Sequence, residues 1–207
     1  CLPAFTEGDA PTAAHVVTLN SDTIVTSGWL RGLLRCMRSK RRIGIVGPLS
    51  NAASWQSVPK LYDEHRQFAI NDTAGLTVDE MASVVSMASS RRYPEMPFVN
   101  GFCFMVSREV ISAIGFMDEA NFPVGFGEEN DYCIRAADAG FKLAIADDVY
   151  VFHAKSKSFG HDRRKELSKA GSEQLRRKHT DEKFNRLVQL ARTAQQLDLV
   201  RRDVRLA

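Results

Sequence analysis

The sequence predicts an α/β domain, and three observations carry that prediction. Short apolar runs rich in Val, Ile and Phe alternate with segments whose apolar residues recur at helical spacing. Glycine and helix-capping residues stand at the joints between them. Hydrophobic residues make up 44% of the 207 and charged residues 26%, which suits one substantial core in a globular protein. A sheet covered by the helices that connect its strands accommodates all three. No apolar stretch approaches the length of a membrane span.

Taken in order, His15–Leu19 reads as the first strand and ends in the polar cluster Asn20-Ser21-Asp22. Residues 27–37 form a helix with Trp29, Leu30, Leu33, Leu34 and Met37 on one face. Residues 43–46 are a second strand. Residues 48–76 begin rich in Pro, Gly, Asn and Ser, lack a period, and are expected to make an irregular surface excursion. Residues 78–87 are a helix entered through a capping box with Thr77 as cap and Glu80 as its partner. A strand follows over 98–106, then a short helix over 107–114, capped by Ser107 and stopped by Gly115.

Residues 128–139 are a helix with acids in its first turn and Gly140 at its end. Apolar runs over 141–145 and 149–153 complete the sheet. After Ser158 the composition turns polar, and residues 162–178 and 181–203 read as two helices joined near His179-Thr180. The second carries Phe184, Leu187, Val188, Leu190, Ala191, Ala194, Leu197 and Val200 as an amphipathic stripe, expected to dock on the body or on a partner. The chain thus divides into a body, 1–160, and a basic helical extension, 161–207.

Charge follows that division. Residues 155–207 hold 15 Lys and Arg against 7 Asp and Glu, whereas the part before them holds 13 against 18. Such a tail suits an anionic membrane surface, a nucleic acid or a phosphorylated ligand, or is only a solvated helical surface. Cys1, Cys36, Cys103 and Cys133 form no CxxC pair, so reduced thiols and a cytoplasmic setting are expected, and no zinc site.

Three places carry residues suited to chemistry. Asn20 and Asp22 follow a strand, at the sheet edge where α/β folds bind ligands; an aspartate there holds a divalent cation, though Asn-Ser-Asp is also ordinary turn chemistry. His153 ends the last apolar run, where a histidine serves either as a metal ligand or as a hydrogen-bonded structural residue. Glu128-Glu129-Asn130-Asp131 crowd three acids at a helix start behind the aromatic and glycine-rich loop 122–127. The helix dipole accounts for some of that charge. Arg135, four residues after Asp131, accounts for Asp131 as an ion-pair partner and leaves the glutamates for general-base work. Gly101 marks close approach of a ligand or a bulge, Trp55 a sugar-stacking platform or a loop anchor. Lys155, Lys157, Arg163 and Arg164 would meet a phosphate or solvent.

The order of these motifs resembles family-two inverting glycosyltransferases with the GT-A fold. Leu19-Asn20-Ser21-Asp22-Thr23 with Gly28-Trp29-Leu30 looks like their DxD-type segment. Asn100-Gly101-Phe102-Cys103, Gly115-Phe116-Met117-Asp118-Glu119 and Gly127-Glu128-Glu129-Asn130-Asp131-Tyr132 with Arg135 resemble their acceptor side. His153, ahead of Ser156 and Ser158, resembles their late metal-binding histidine. The resemblance covers roughly residues 14–160 and implies a partial GT-A fold, a mixed sheet flanked by helices with the helical extension behind it. The amino-terminal nucleotide-binding half has no counterpart here, so the chain is expected to be the carboxyl-terminal part of a longer or split enzyme.

By the same resemblance, Asp22 and His153 bind Mn²⁺ or Mg²⁺ at the donor diphosphate and Asn20 faces the nucleotide or the cation. Glu129 is the base, with Glu128 as fallback; Asp131, Gly101 and Asp118 serve the acceptor side. The implied partners are a nucleotide-sugar donor and a glycan or lipid-linked acceptor in surface polysaccharide or cell-wall synthesis, at the inner face of the membrane, with no nucleic acid. Asn20 stands where the family has its first DxD acid, one negative charge fewer. Two other readings remain open: a non-catalytic interaction module of the same fold, and a metal-dependent phosphohydrolase.

Overall fold

In the computed structural model, which describes residues 15–155 and 161–207, four strands make one mixed sheet in the order β1 (His15–Leu19), β4 (Cys103–Ser107), β3 (Ile43–Leu49), β5 (Lys142–Tyr150). β4 runs antiparallel to both neighbours, while β3 and β5 are parallel. All seven residues of β3 are buried, as a strand with both faces covered requires; Ile45 and Leu49 face one core layer, Ile43 and Val46 the other.

One face is covered by α1 (Trp29–Ser39) through Leu33, Cys36 and Met37. The other carries α2 (Val78–Ala88), α3 (Arg108–Ile114) and α4 (Glu128–Asp138). The capping box at Thr77 and the Ser107 cap are both present. A second, two-stranded ladder pairs β2 (Thr23–Ile24) with β6 (Phe152–His153).

Three expectations are corrected. The strand expected over 98–106 starts only at Cys103, because the backbone before it turns: Asn100 accepts from the Phe102 N–H at 3.2 Å and its own N–H donates to Gln56 Oε1 at 2.7 Å. The two last runs divide elsewhere than expected: β5 runs through the buried Asp147 and Asp148 to Tyr150, and the end of the second run, Phe152–His153, leaves the sheet as β6. Asp147 satisfies the loop beside it, accepting from the N–H groups of Arg92 and Tyr93 and from the Ser89 hydroxyl. The tail is three helices, α5 (His161–His179), α6 (Asp181–Arg192) and α7 (Gln195–Leu206). The chain turns at Thr193-Ala194, which folds α7 back against the body. There Arg201, buried, donates to the carbonyls of Trp55 and Ser57.

Much of the expected stripe is used in that docking. Phe184, Ala191, Leu197 and Val200 of that stripe join the same apolar cluster as the sheet, as do Leu175 and Val204 outside it, whereas Leu190 stays exposed. Cys36, Cys103 and Cys133 are free, buried thiols, their pKa values pushed up by burial; Cys1 lies outside the described residues. Among the described residues no helix is long and apolar enough to cross a membrane.

Candidate functional site

The site is assembled by backbone pairing at the end of the sheet. β1 finishes with Leu19 opposite Cys103, and the next residue, Asn20, donates its N–H to the Phe102 carbonyl at 2.9 Å. Asn20 is exposed, and its carbonyl accepts from Thr23 Oγ1 at 2.7 Å, which turns the chain into β2. Thr23 then pairs with His153, and Ala154 N–H donates to the Asp22 carbonyl. This ladder sets the half-buried Asp22 beside the buried His153, with Oδ1 and Nε2 3.3 Å apart.

The imidazole is held on three sides. Nδ1 lies 2.9 Å from the Ala52 carbonyl, an acceptor only, so Nδ1 carries the proton in that bond. Asn51 clamps the His153 backbone at both its N–H and its carbonyl. The Phe102 ring stacks on the imidazole, 5.2 Å between centroids and 13° between planes. With Nδ1 spoken for, a neutral ring presents its Nε2 lone pair to the Asp22 carboxylate, and a proton or a metal cation between them reconciles the two. Two donors each about 2.1 Å from one cation subtend roughly a right angle at that spacing, so the pair fits a single divalent ion. Among the described residues no cluster of three or more His, Cys, Asp or Glu side chains gathers, so these residues offer two donors there. Magnesium and similar ions take their other ligands from water and phosphate.

Glu129 stands on the first turn of α4. The loop before it holds three successive residues at positive φ: Gly125 at 82°, Phe126 at 65° and Gly127 at 142°. A side chain at Gly127 would be strained and would meet the Phe122 ring at 3.0 Å, so glycine is required there. The Glu129 side chain lies against Gly101, whose absent Cβ would fall 3.4 Å from Glu129 Cβ and 3.5 Å from Cγ. Burial first, and the Glu128 charge second, raise the Glu129 pKa to about 7, while N–H groups of Glu129 and Gly127 pull the other way. Glu128 turns back on the loop, its Oε2 accepting from Gly127 N–H at 3.0 Å.

Gly101 and Phe102 therefore connect the two halves of the site. One touches Glu129, the other stacks on His153, and they are adjacent in the chain. A carboxyl group poised near neutral pH and the Asp22–His153 pair stand on either side of one short turn. That arrangement suits removal of a proton from one group while negative charge on another is neutralised.

Three expected substrate contacts have other surroundings. Asp131 is fully buried and paired with Arg135 at 2.8 Å, Lys178 at 2.8 Å and His179 at 2.6 Å. It shows no surface to a substrate, and these partners hold its pKa down against the cost of burial. Asp118 takes Lys178 at 2.5 Å and Asn121 at 2.7 Å, which keep its carboxyl well below the usual range. Trp55 packs on the main core and edge-on against Phe68, 4.7 Å away, and so anchors its loop. Lys157, Ser156, Ser158 and the Arg164 side chain lie outside the described residues.

Sequence reasoning missed the brace behind the acidic loop. Helix α5 crosses it at Gly171, where a Cβ would sit 1.5 Å from the Phe126 carbonyl oxygen. Gln174 donates to Asn121 at 2.7 Å, and Lys178 links Asp118 to Asp131. A lone glycine in the middle of a polar helix was the available signal. Asn51 and Ala52, the holders of His153, left no signal in an aperiodic loop.

Residues 3–172 match the family model described as glycosyltransferase like family 2. The chain is also 30% identical over 151 residues to uncharacterized proteins of Mycobacterium bovis and Mycobacterium tuberculosis, a stretch covering 72% of this chain and 49% of each relative. It spans about half the length of the curated relatives it matches.

Proposed function

The chain belongs to the glycosyltransferase family 2-like proteins, and from that premise we propose that it carries the acceptor-side and cation-binding machinery of an inverting sugar transfer. The donor is a nucleotide diphosphate sugar, and the acceptor is a hydroxyl of a glycan or lipid-linked glycan in surface polysaccharide synthesis at the inner membrane face. The observation that carries the reading is the turn Asn100–Cys103, which has Glu129 against Gly101 and His153 against Phe102.

Asp22 and His153 would hold Mn²⁺ or Mg²⁺. Such a cation supplies charge neutralisation for the departing diphosphate. The chain's own residues do the remaining work. Glu129, with a pKa near 7, takes the acceptor proton as the hydroxyl oxygen attacks the anomeric carbon. Glu128 keeps the neighbouring carboxyl proton-hungry through like-charge repulsion. Asn51 and Ala52 fix the His153 ring so that Nε2 faces Asp22. Single displacement needs no nucleophilic side chain, which leaves Glu129 for acid–base work.

Assay of the intact protein with a panel of nucleotide sugars tests the proposal. Glu129→Gln is expected to lower transfer by about 10²-fold or more while nucleotide diphosphate still binds in the presence of Mn²⁺. Unchanged turnover removes Glu129 from the mechanism. Phosphate release without any acceptor would favour hydrolysis instead.

A further inference from the structure

The basic excess that the sequence places in the tail is spent in part inside the fold. Lys178 meets Asp118 and Asp131, Lys183 meets Asp138, Arg176 meets Asp181, and the buried Arg201 meets Asp198 and two backbone carbonyls. A denser set of cations faces outward on α1 and the turn behind it. Residues 27–42 hold six Lys and Arg and no Asp or Glu.

Arg31, Arg35 and Arg38 recur at helical spacing on α1, on the side opposite its buried Leu33, Cys36 and Met37. Arg41 and Arg42 follow, both exposed. Lys40 draws in a further pair: its Nζ donates to the carbonyls of Arg92 and Tyr93, each at 3.1 Å, which sets the exposed Arg91 and Arg92 beside α1. The neighbouring acids do not cancel this patch. Asp148 is fully buried and takes Arg35 and Arg91, yet both of those side chains stay about half exposed. Asp147 is occupied by the backbone N–H groups of Arg92 and Tyr93, and Asp79 of α2 lies near the Ser27 N–H at 3.4 Å. Arg31, Arg38 and Arg41 have no carboxylate partner among the described residues.

Apolar side chains project among these cations. Met87, near the end of α2, is 75% exposed and lines one cleft with Arg31, Arg35 and Arg91. Leu30, the chain neighbour of Arg31, is 43% exposed. A surface that mixes guanidinium groups with projecting apolar side chains matches the interface of an anionic bilayer. Headgroup phosphates there take the cations, and the acyl boundary takes the apolar groups. A nucleic acid backbone would engage the arginines and leave Met87 and Leu30 in water.

We infer that the outer face of α1, with Arg91, Arg92 and Met87 beside it, docks on the surface of an anionic phospholipid bilayer. Each cation held near such a surface strengthens association about fivefold, so a stripe of them gives an attachment that one would not. Only β2 and a short turn separate Asp22 from α1 along the chain, so the docked face adjoins the end of the sheet that carries Asp22 and His153. This face gives the proposed membrane setting a physical contact. Because it rests on charge and exposure, it stands or falls apart from the sugar transfer.

Co-sedimentation of the chain with phosphatidylcholine vesicles, with and without phosphatidylglycerol, tests the docking. Uptake is expected only with phosphatidylglycerol and should fall as salt screens the contact. Arg31→Gln, Arg38→Gln and Arg41→Gln together should weaken it about 10²-fold, at about fivefold per cation. Arg31→Lys, Arg38→Lys and Arg41→Lys together should keep most of the uptake, since charge is what these positions supply. Met87→Gln should weaken it about threefold or more, because less apolar surface leaves water on docking. Arg163→Gln, Lys165→Gln and Lys169→Gln, on the exposed part of α5, form the comparison and should cost far less. Absent uptake, uptake indifferent to phosphatidylglycerol, a loss as large with lysine as with glutamine, or a larger loss from the α5 variant overturns the docking face. Uptake unchanged by Met87→Gln, or tighter binding to a mixed-sequence RNA than to the vesicles at equal salt, overturns the bilayer as its partner. No sugar is transferred in these measurements, so an inactive protein that docks and an active one that does not are told apart.

Discussion

Replacing Glu129 by Gln keeps the side-chain shape and removes its ionisation, so the variant reads directly on how the native pocket treats the anion. The wild-type carboxyl titrates near 7 instead of the ordinary 4.5, through burial first and the charge of Glu128 second. An unfolded chain gives up this proton at the ordinary value. Between those two pH values the folded state holds more protons than the unfolded state, so stability falls as pH rises through the window and stays lower above it. Two and a half pH units at about 1.4 kcal/mol each set an upper bound of roughly 3.5 kcal/mol. The Glu129 side chain is only half-buried, so solvent reduces this to about 1–2 kcal/mol. The variant should match wild type near pH 4 and exceed it near pH 8, with a thermal midpoint higher by about 2–6 °C for a chain of this length. Scanning calorimetry across that range supplies the comparison. A midpoint difference that is constant with pH, or of opposite sign, refutes the account of a desolvated carboxyl at this position.

Other outcomes follow from the same geometry. If Asp22 and His153 share a cation, Mn²⁺ should raise the thermal midpoint of the wild type, and His153→Ala should abolish that rise, measured by the same scans. Gly171→Ala forces a methyl into the Phe126 carbonyl, and an overpacking cost of about 1–3 kcal/mol is expected in urea unfolding, with faster proteolysis of the loop 122–127. Asp131→Ala leaves Arg135, Lys178 and His179 around an uncompensated buried site and should cost about 3–5 kcal/mol. Because the folded-state pKa values of Asp118 and Asp131 are depressed, their contribution is present above the ordinary aspartate range and disappears as pH falls through the folded values. Acid unfolding of the wild type should therefore be steeper than that of Asp131→Asn.

Elements with a local signature were legible in the sequence. The Thr77 capping box, the Ser107 cap and the acidic start at Glu128 need only neighbouring residues, and each stands where it was expected. The convergence of Asp22 and His153 was legible because each ends an apolar run, and strand ends meet at one sheet edge. What escaped was non-local. Asp147 and Asp148 look like a strand break until the loop N–H groups and arginines that neutralise them are known. The burial of Asp131 depends on cations from a helix far along the chain, and the turn at Thr193-Ala194 is set by where Arg201 finds carbonyls. Trp55 reads identically as platform or anchor until Phe68 is seen beside it.

The register that pairs Thr23 with His153 has a consequence for biogenesis. Neither donor lies near the other until the last strand has emerged and closed onto the second ladder, so a nascent chain leaving the ribosome holds no preformed chelate. A cation held by this pair would be captured only after that pairing has formed, and a slip by one residue would turn the imidazole to the opposite side. If Asp22 and His153 share a cation, its uptake in a pulse-labelled folding experiment should trail the pairing of β2 with β6.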